Sequence, residues 1–155
     1  MEDQKKVVVF QVAQGEYAIS IDCVISIEKE DGVTEVPSLP NYIVGIKKVR
    51  NELIPIIDLE QVLYNRPIQE KDQNKLIVLK TEELAYAVLV SDAKEILAVA
   101  EENIKQAGLA AYQKTSYFTG VINLENRLIM MMEPAILIDS LDGIKEIKEY
   151  MNNVV

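Results

Sequence analysis

Apolar residues crowd this chain in short runs, and most of those runs carry the period of strands. Val7 to Val12 is β-branched and apolar, "AQGE" is a turn, and Tyr17, Ile19 and Ile21 alternate with small or polar residues, so the start of the chain predicts a strand, a turn and a strand. Val24, Ile25 and Ile27 continue the apolar pattern into the charged turn "EKEDG". "VTEVPSLPNY" carries two prolines three apart, which forbid a helix and predict an irregular connection. "GIKKVRNELIPIIDL" then reads as a hairpin, followed by a short helix that Asp58 caps and whose apolar face is Leu59, Val62 and Leu63. "LIVLKTEELAYAVLV" predicts another strand, turn and strand, and "EILAVA" a further strand with one turn at Glu101 to Ile104. The tail sets Ile144, Ile147 and Met151 at helical spacing with charges between them, an amphipathic helix over 139–153 that packs its stripe on the sheets.

Self-similarity organises these elements. Residues 42–63 moved by 75 lie over 117–138 with five identities in 22 positions: Tyr42 with Tyr117, Gly45 with Gly120, Asn51 with Asn126, Leu53 with Leu128 and Ile54 with Ile129. A second match, offset by 69, places "EYAI" at 16 on "AYAV" at 85. The chain therefore predicts two related β-subdomains, 7–70 and 75–138, each of two hairpins and a short helix, with the polar stretch 65–75 as linker. Asn51 and Asn126 fall where strands reverse and are expected as turn residues tolerant of left-handed backbone. Gly45 and Gly120 fall where a missing Cβ allows a bulge or close approach.

The repeat keeps its apolar frame and inverts its charges. Lys47 lies on Ile122, Lys48 on Asn123, Arg50 on Glu125 and Glu52 on Arg127. In a chain of net charge −9 this basic cluster stands out, and Pro55 beside it predicts an edge strand or a bulge, where partners dock. Lys47, Lys48 and Arg50 are thus a candidate docking patch.

Composition narrows the chemistry. There is no histidine, which removes the commonest general base and metal ligand, and 25 acids against 16 Lys and Arg argue against nucleic acid. No glycine-rich phosphate loop is present, and the acid pairs near Glu28, Asp58 and Glu101 lack the alternation of a calcium loop. Cys23 alone builds neither a disulfide nor a multi-cysteine site and is expected as a small core residue, and Met130, Met131 and Met132 are expected as core or half-buried residues of their strand. No apolar stretch is long enough for a bilayer and the N-terminus has no signal-peptide pattern, so a cytoplasmic protein is expected, with no membrane insertion, catalytic residue, metal or cofactor. Two other classes stay open: an acidic small-molecule hydrolase using carboxylates, and a small barrel that binds single-stranded nucleic acid.

"FQVAQGEYAISIDCVISI", "VPSLPNYIVGIKKVRNELIPIIDLEQVL", "EILAVAEENI" and "YFTGVINLENRLIMMMEPAILI" together, over residues 7 to 140, resemble the CheW-like family of bacterial chemotaxis coupling proteins. The resemblance implies a mainly β fold of two five-stranded SH3-like barrels around a shared core, with short helices. It also implies a non-enzymatic adaptor, recruited to receptor arrays, that joins the cytoplasmic tips of methyl-accepting chemoreceptors to the regulatory domain of the CheA histidine kinase, or a coupler in a related non-flagellar system. By motif match, Val24, Ile27, Arg50 and the neighbourhood of Tyr42, Ile43 and Gly45 fall at partner contacts. The family's hairpin usually reads Asn-Leu-Arg-Gly where this chain has Lys48-Val49-Arg50-Asn51.

Overall fold

The computed structural model describes residues 4–106 and 116–154. Its strands are β1 (Gln4–Val12), β2 (Gly15–Ser20), β3 (Val24–Lys29), β4 (Ile43–Val49), β5 (Glu52–Asp58), β6 (Lys75–Lys80), β7 (Ala85–Val90), β8 (Asp92–Ala100), β9 (Ile104–Gln106), β10 (Phe118–Leu124) and β11 (Arg127–Met132). Among the described residues three α-helices follow strands or close the chain: α1 (Leu59–Tyr64), α2 (Pro134–Asp139) and α3 (Ile144–Val154). The strands form one sheet in the order β3-β6-β7-β5-β4 and another in the order β8-β1-β2-β11-β10-β9. Each curls into an SH3-like barrel, here barrel B and barrel A respectively.

Three apolar clusters explain why so many strands read as continuous hydrophobic runs rather than half-polar ones. Ile54, Ile56, Leu76, Val78, Ala87 and Leu89 fill barrel B, and Val7, Val9, Ala18, Ile122, Ile129 and Met131 fill barrel A. The alternate residues of the same strands, among them Val8, Phe10, Ile57, Ile77, Tyr86 and Val88, point the other way into one core shared by both barrels. Strands buried on both faces have no polar face to show. Ile144, Ile147 and Met151 of α3 enter that shared core, as their spacing predicts.

The repeat holds at the level of single pairings. Val7 opposite Ser20 in the β1–β2 hairpin matches Leu76 opposite Leu89 in β6–β7. Met131 beside Ala18 matches Ile56 beside Ala87 in the two parallel pairs. Ile96 opposite Val8 matches Ile27 opposite Ile77, so β8 is the counterpart of β3. Both hairpins of the longer repeat carry the same bulge, between Ile43 and Gly45 and between Phe118 and Gly120.

The expected subdomain limits are corrected by this topology. β1 and β2, from the first half of the chain, belong to barrel A, while β6 and β7, from the second half, belong to barrel B. The barrels are interlaced, and residues 65–75 connect α1 to β6 on one sheet instead of linking 7–70 to 75–138. Hydrophobic period fixes which face a residue occupies but not which strand it pairs with. The tail helix starts later than residue 139: α2 ends at Asp139, and α3 begins at Ile144 after Gly143, whose φ of +80° suits the break.

Pro55 is also corrected, because β5 is an inner strand between β7 and β4. Its partner across β4 is Ile46, whose N–H and carbonyl bond Thr34 on the other side at 2.9 and 2.8 Å. That pair needs no hydrogen bond from Pro55, and the parallel ladder with β7 begins one residue later at Ile56. The turn expectation holds in part. Arg50 and Asn51 are both left-handed, at φ 51° and 67°, which makes a type I′ turn, whereas Asn126 sits in the equivalent turn and is not among the left-handed residues described.

Two tyrosines tie the barrels reciprocally. Tyr86 on β7 donates its hydroxyl to the Pro134 carbonyl at the start of α2, at 2.7 Å. Tyr17, its counterpart on β2, hydrogen-bonds the hydroxyl of Tyr64 at the end of α1. Asp58, itself buried, accepts from the N–H groups of Gln61 at 3.1 Å and Ile68 at 2.9 Å, so the expected helix cap also pins the chain leaving α1.

Candidate partner-docking surface

Partner contacts require side chains that a partner can reach, and the sequence-derived residues divide sharply on that criterion. Tyr42 is buried and donates its hydroxyl to the Asp142 carbonyl at 2.5 Å, holding the connection between α2 and α3. Gly45 is buried beneath the Thr34 backbone, and Gly120 likewise beneath that of Lys105. Tyr42 and Gly45 are structural, a correction to their place among candidate contacts, whereas Gly120 is structural as expected. Val24 and Ile43 are half-buried against the shared core. Ile27 is 42% exposed on β3, the terminal strand of barrel B.

The basic cluster divides in the same way. Lys47 has only 12% of its side chain exposed and donates to the Lys29 carbonyl at 3.3 Å and to Asp31 at 3.2 Å. It clasps the segment after β3 to β4 and, with the Thr34–Ile46 bridge, brings the two ends of the sheet together. Lys47 therefore serves the barrel and is withdrawn from the docking patch. Lys48 and Arg50 are exposed and carry no ion pair or hydrogen bond among the described residues. In the other repeat Arg127 bonds both Glu16 and Glu95 at 2.7 Å, so part of the charge inversion serves barrel A internally.

Leu53 and Leu128 match in sequence but not in burial. Leu53 is half-buried and Leu128 is 66% exposed, so shared identity does not mark a common core position. Sequence reading also passed over Ile96, 58% exposed at the register position of Ile27. Extending the 69-residue offset as far as β8 would have placed one on the other. Cys23 is half-buried rather than a core residue, and burial pushes its thiol up.

The chemistry available here is that of contact. Burial, with a smaller push from Glu60, raises the Asp58 carboxyl against the lowering effect of its N–H donors, and the group is engaged as a helix cap. Among the described residues no group of His, Cys, Asp and Glu could hold a metal ion, and no helix is long and apolar enough to cross a membrane.

Buried phenols give the fold an alkaline limit. Burial above all, then Asp142 and Glu146, pushes Tyr42 up to about 12 from its ordinary 10.0, and Tyr17, Tyr86 and Tyr117 are raised too. A raised pKa means the folded form holds its proton longer than the unfolded form. The corresponding stability is complete below pH 10 and is lost as pH rises toward 12. Urea midpoints should fall over that interval together with tyrosine ionisation, which is readable by absorbance because the chain has no tryptophan, and Tyr42→Phe should flatten the fall.

Two interlaced barrels whose terminal strands carry exposed apolar and basic side chains place the chain in the class of twin-barrel β proteins. The family model described as the CheW-like domain matches residues 6–147, and the chain belongs to that family. It is 29% identical over 136 residues to "Chemotaxis protein CheW" of Bacillus subtilis, covering 87% of each chain. It is 27% identical over 133 residues to the protein of the same name from Klebsiella aerogenes, covering 85% of this chain and 80% of that one. Among solved structures, the scaffolding protein TtCheW from Thermoanaerobacter tengcongensis shares the fold, with a TM-score of 0.75 at 22% identity over 86% of each chain. The mainly β, twin-barrel expectation is met, with six strands in place of the expected five in barrel A.

Proposed function

We propose that this chain is a non-enzymatic chemotaxis adaptor that couples the cytoplasmic tips of methyl-accepting receptors to the regulatory domain of a CheA-type histidine kinase. Its similarity to the Bacillus subtilis chemotaxis protein along 87% of both chains is the observation that carries this reading. The separation of structural from exposed candidates supports it: Ile27 supplies an apolar contact and Arg50 an orienting charge on one barrel. A cytoplasmic location at receptor arrays follows from the same role.

Titration of the full chain with the kinase regulatory domain and with a receptor cytoplasmic fragment tests the proposal directly. Binding to at least one is expected, and binding to neither overturns it. Arg50→Glu should weaken the complex while shifting stability by no more than about 0.5 kcal/mol, since the side chain is exposed and the left-handed backbone is unfavourable for either residue. A large loss of stability in that variant would instead make Arg50 a structural residue.

A further inference from the structure

The repeat keeps a phenol on each barrel but supplies an acceptor to only one of them. Tyr42 and its counterpart Tyr117 are both buried, 7% and 6% exposed. Tyr42 donates to the Asp142 carbonyl in the connection between α2 and α3. The offset of 75 makes Pro67 the counterpart of Asp142, but the two chains part at the helix ends. Ser140, after α2, keeps right-handed backbone at φ −82°, and a further turn carries the chain on to Asp142. Asn65, at the matching place after α1, is left-handed at φ 56°, and Asp58 then holds the Ile68 N–H at 2.9 Å. The Tyr117 ring packs on Phe118 at 4.7 Å between centroids, while its hydroxyl has no hydrogen-bond partner among the described residues.

Both phenols line one concavity of about 530 Å³. Pro40, Val62 and Leu141 add apolar wall to the two rings. Asn41, Gln61 and Asn65 add amides, and the Ser140 hydroxyl is taken up by the Leu137 carbonyl at 2.7 Å. Asp142 is the one charged residue of this wall, and none of Val24, Ile27, Lys48 and Arg50 belongs to it.

We infer that this concavity is a docking site for a turn or extended segment of a protein partner, whose backbone carbonyl accepts a hydrogen bond from the Tyr117 hydroxyl. The molecule itself supplies the precedent, because the same side chain on the other barrel holds a backbone carbonyl. A donor on a buried ring with no acceptor forgoes a hydrogen bond that a partner can restore. Carbonyls inside helices and strands are already bonded, so the acceptor belongs to a turn or an extended segment. Gln61 Nε2 donates to Asn65 Oδ1 at 3.2 Å, which leaves the Gln61 carbonyl and the Asn65 amide hydrogens to pair with the same segment. The single carboxylate, on a molecule of net charge −9, favours a neutral or basic segment over an acidic one.

This inference rests on the proposed adaptor role, and one set of titrations separates the two. Full-length wild type, Tyr117→Phe and Asn41→Trp are each titrated with the kinase regulatory domain and with the receptor fragment, and their urea midpoints are measured. Tyr117→Phe removes a hydroxyl that bonds nothing internally, so its midpoint should match the wild type, whereas Tyr42→Phe should lower it. With one partner, Tyr117→Phe is expected to weaken binding about fivefold, the scale of one neutral hydrogen bond. Asn41→Trp, at an exposed position of the wall, fills the concavity and should weaken the same complex roughly tenfold. Wild-type affinity for both partners in Tyr117→Phe overturns the site while leaving the adaptor role standing. A fall in the Tyr117→Phe midpoint equal to that of Tyr42→Phe also overturns it, by showing that the phenol has an internal acceptor. Failure of the wild type to bind either partner overturns the adaptor role, and the site falls with it.

Discussion

Gly45→Ala should unfold barrel B at its seam. A Cβ at position 45 would lie 2.2 Å from the Thr34 carbonyl oxygen and 2.9 Å from its carbon, and both are backbone atoms that cannot rotate aside. Relief requires breaking the Thr34–Ile46 bridge, and with it the approach that lets Lys47 reach Lys29 and Asp31. The expected loss is about 3 kcal/mol or more, at the upper end for overpacking, read from urea unfolding. Gly120→Ala is the internal control: there the nearest atom, the Lys105 carbonyl oxygen, stands 3.1 Å away, and a shift of a few tenths of an ångström suffices. Losses of equal size in the two variants would show that the bulge, and not the close approach, requires glycine.

Tyr86→Ala is the second large effect. Tyr86 is fully buried among residues of both barrels, and its ring and hydroxyl act separately. Removing the ring should cost about 3–5 kcal/mol through the cavity left in the shared core. Tyr86→Phe keeps the packing and removes only the bond to Pro134, so about 1 kcal/mol is expected. Because the residue joins β7 of one barrel to α2 of the other, both barrels should lose stability in a single transition. Two separated transitions, seen by amide exchange resolved along the chain, would mean that the barrels unfold independently.

Local structure was legible wherever a residue's neighbours in sequence determine it. The hairpin turn at Arg50-Asn51, the Asp58 cap and the buried stripe of Ile144, Ile147 and Met151 all follow from short spacings. Pairings between distant strands were not legible in this way. The offset of 69 residues matched Tyr17 to Tyr86, but a match between two strands is silent on whether they share a sheet, and these two do not. Pro55 misled for the same reason: its tolerance within β5 depends on Thr34, which lies 21 residues earlier and takes up the hydrogen bonds of Ile46.

The docking patch was legible by charge and illegible by exposure. Lys47, Lys48 and Arg50 are equivalent cations on paper, yet only the fold, by bringing Asp31 within 3.2 Å of Lys47, separates the clasp from the contacts.

Interlacing of the barrels has a consequence for descent. Neither half of the chain contains the strands of a whole barrel: the first lacks β6 and β7 for one, and the second lacks β1 and β2 for the other. Because β1–β2 is the counterpart of β6–β7, the arrangement is that of two like halves which have each lent their first hairpin to the other, as in a domain-swapped dimer. Gene fusion of such a pair would give one molecule whose two sides are free to diverge. The lone basic hairpin, with a helix beside it that has no counterpart, is the kind of asymmetry that a true homodimer could never have acquired.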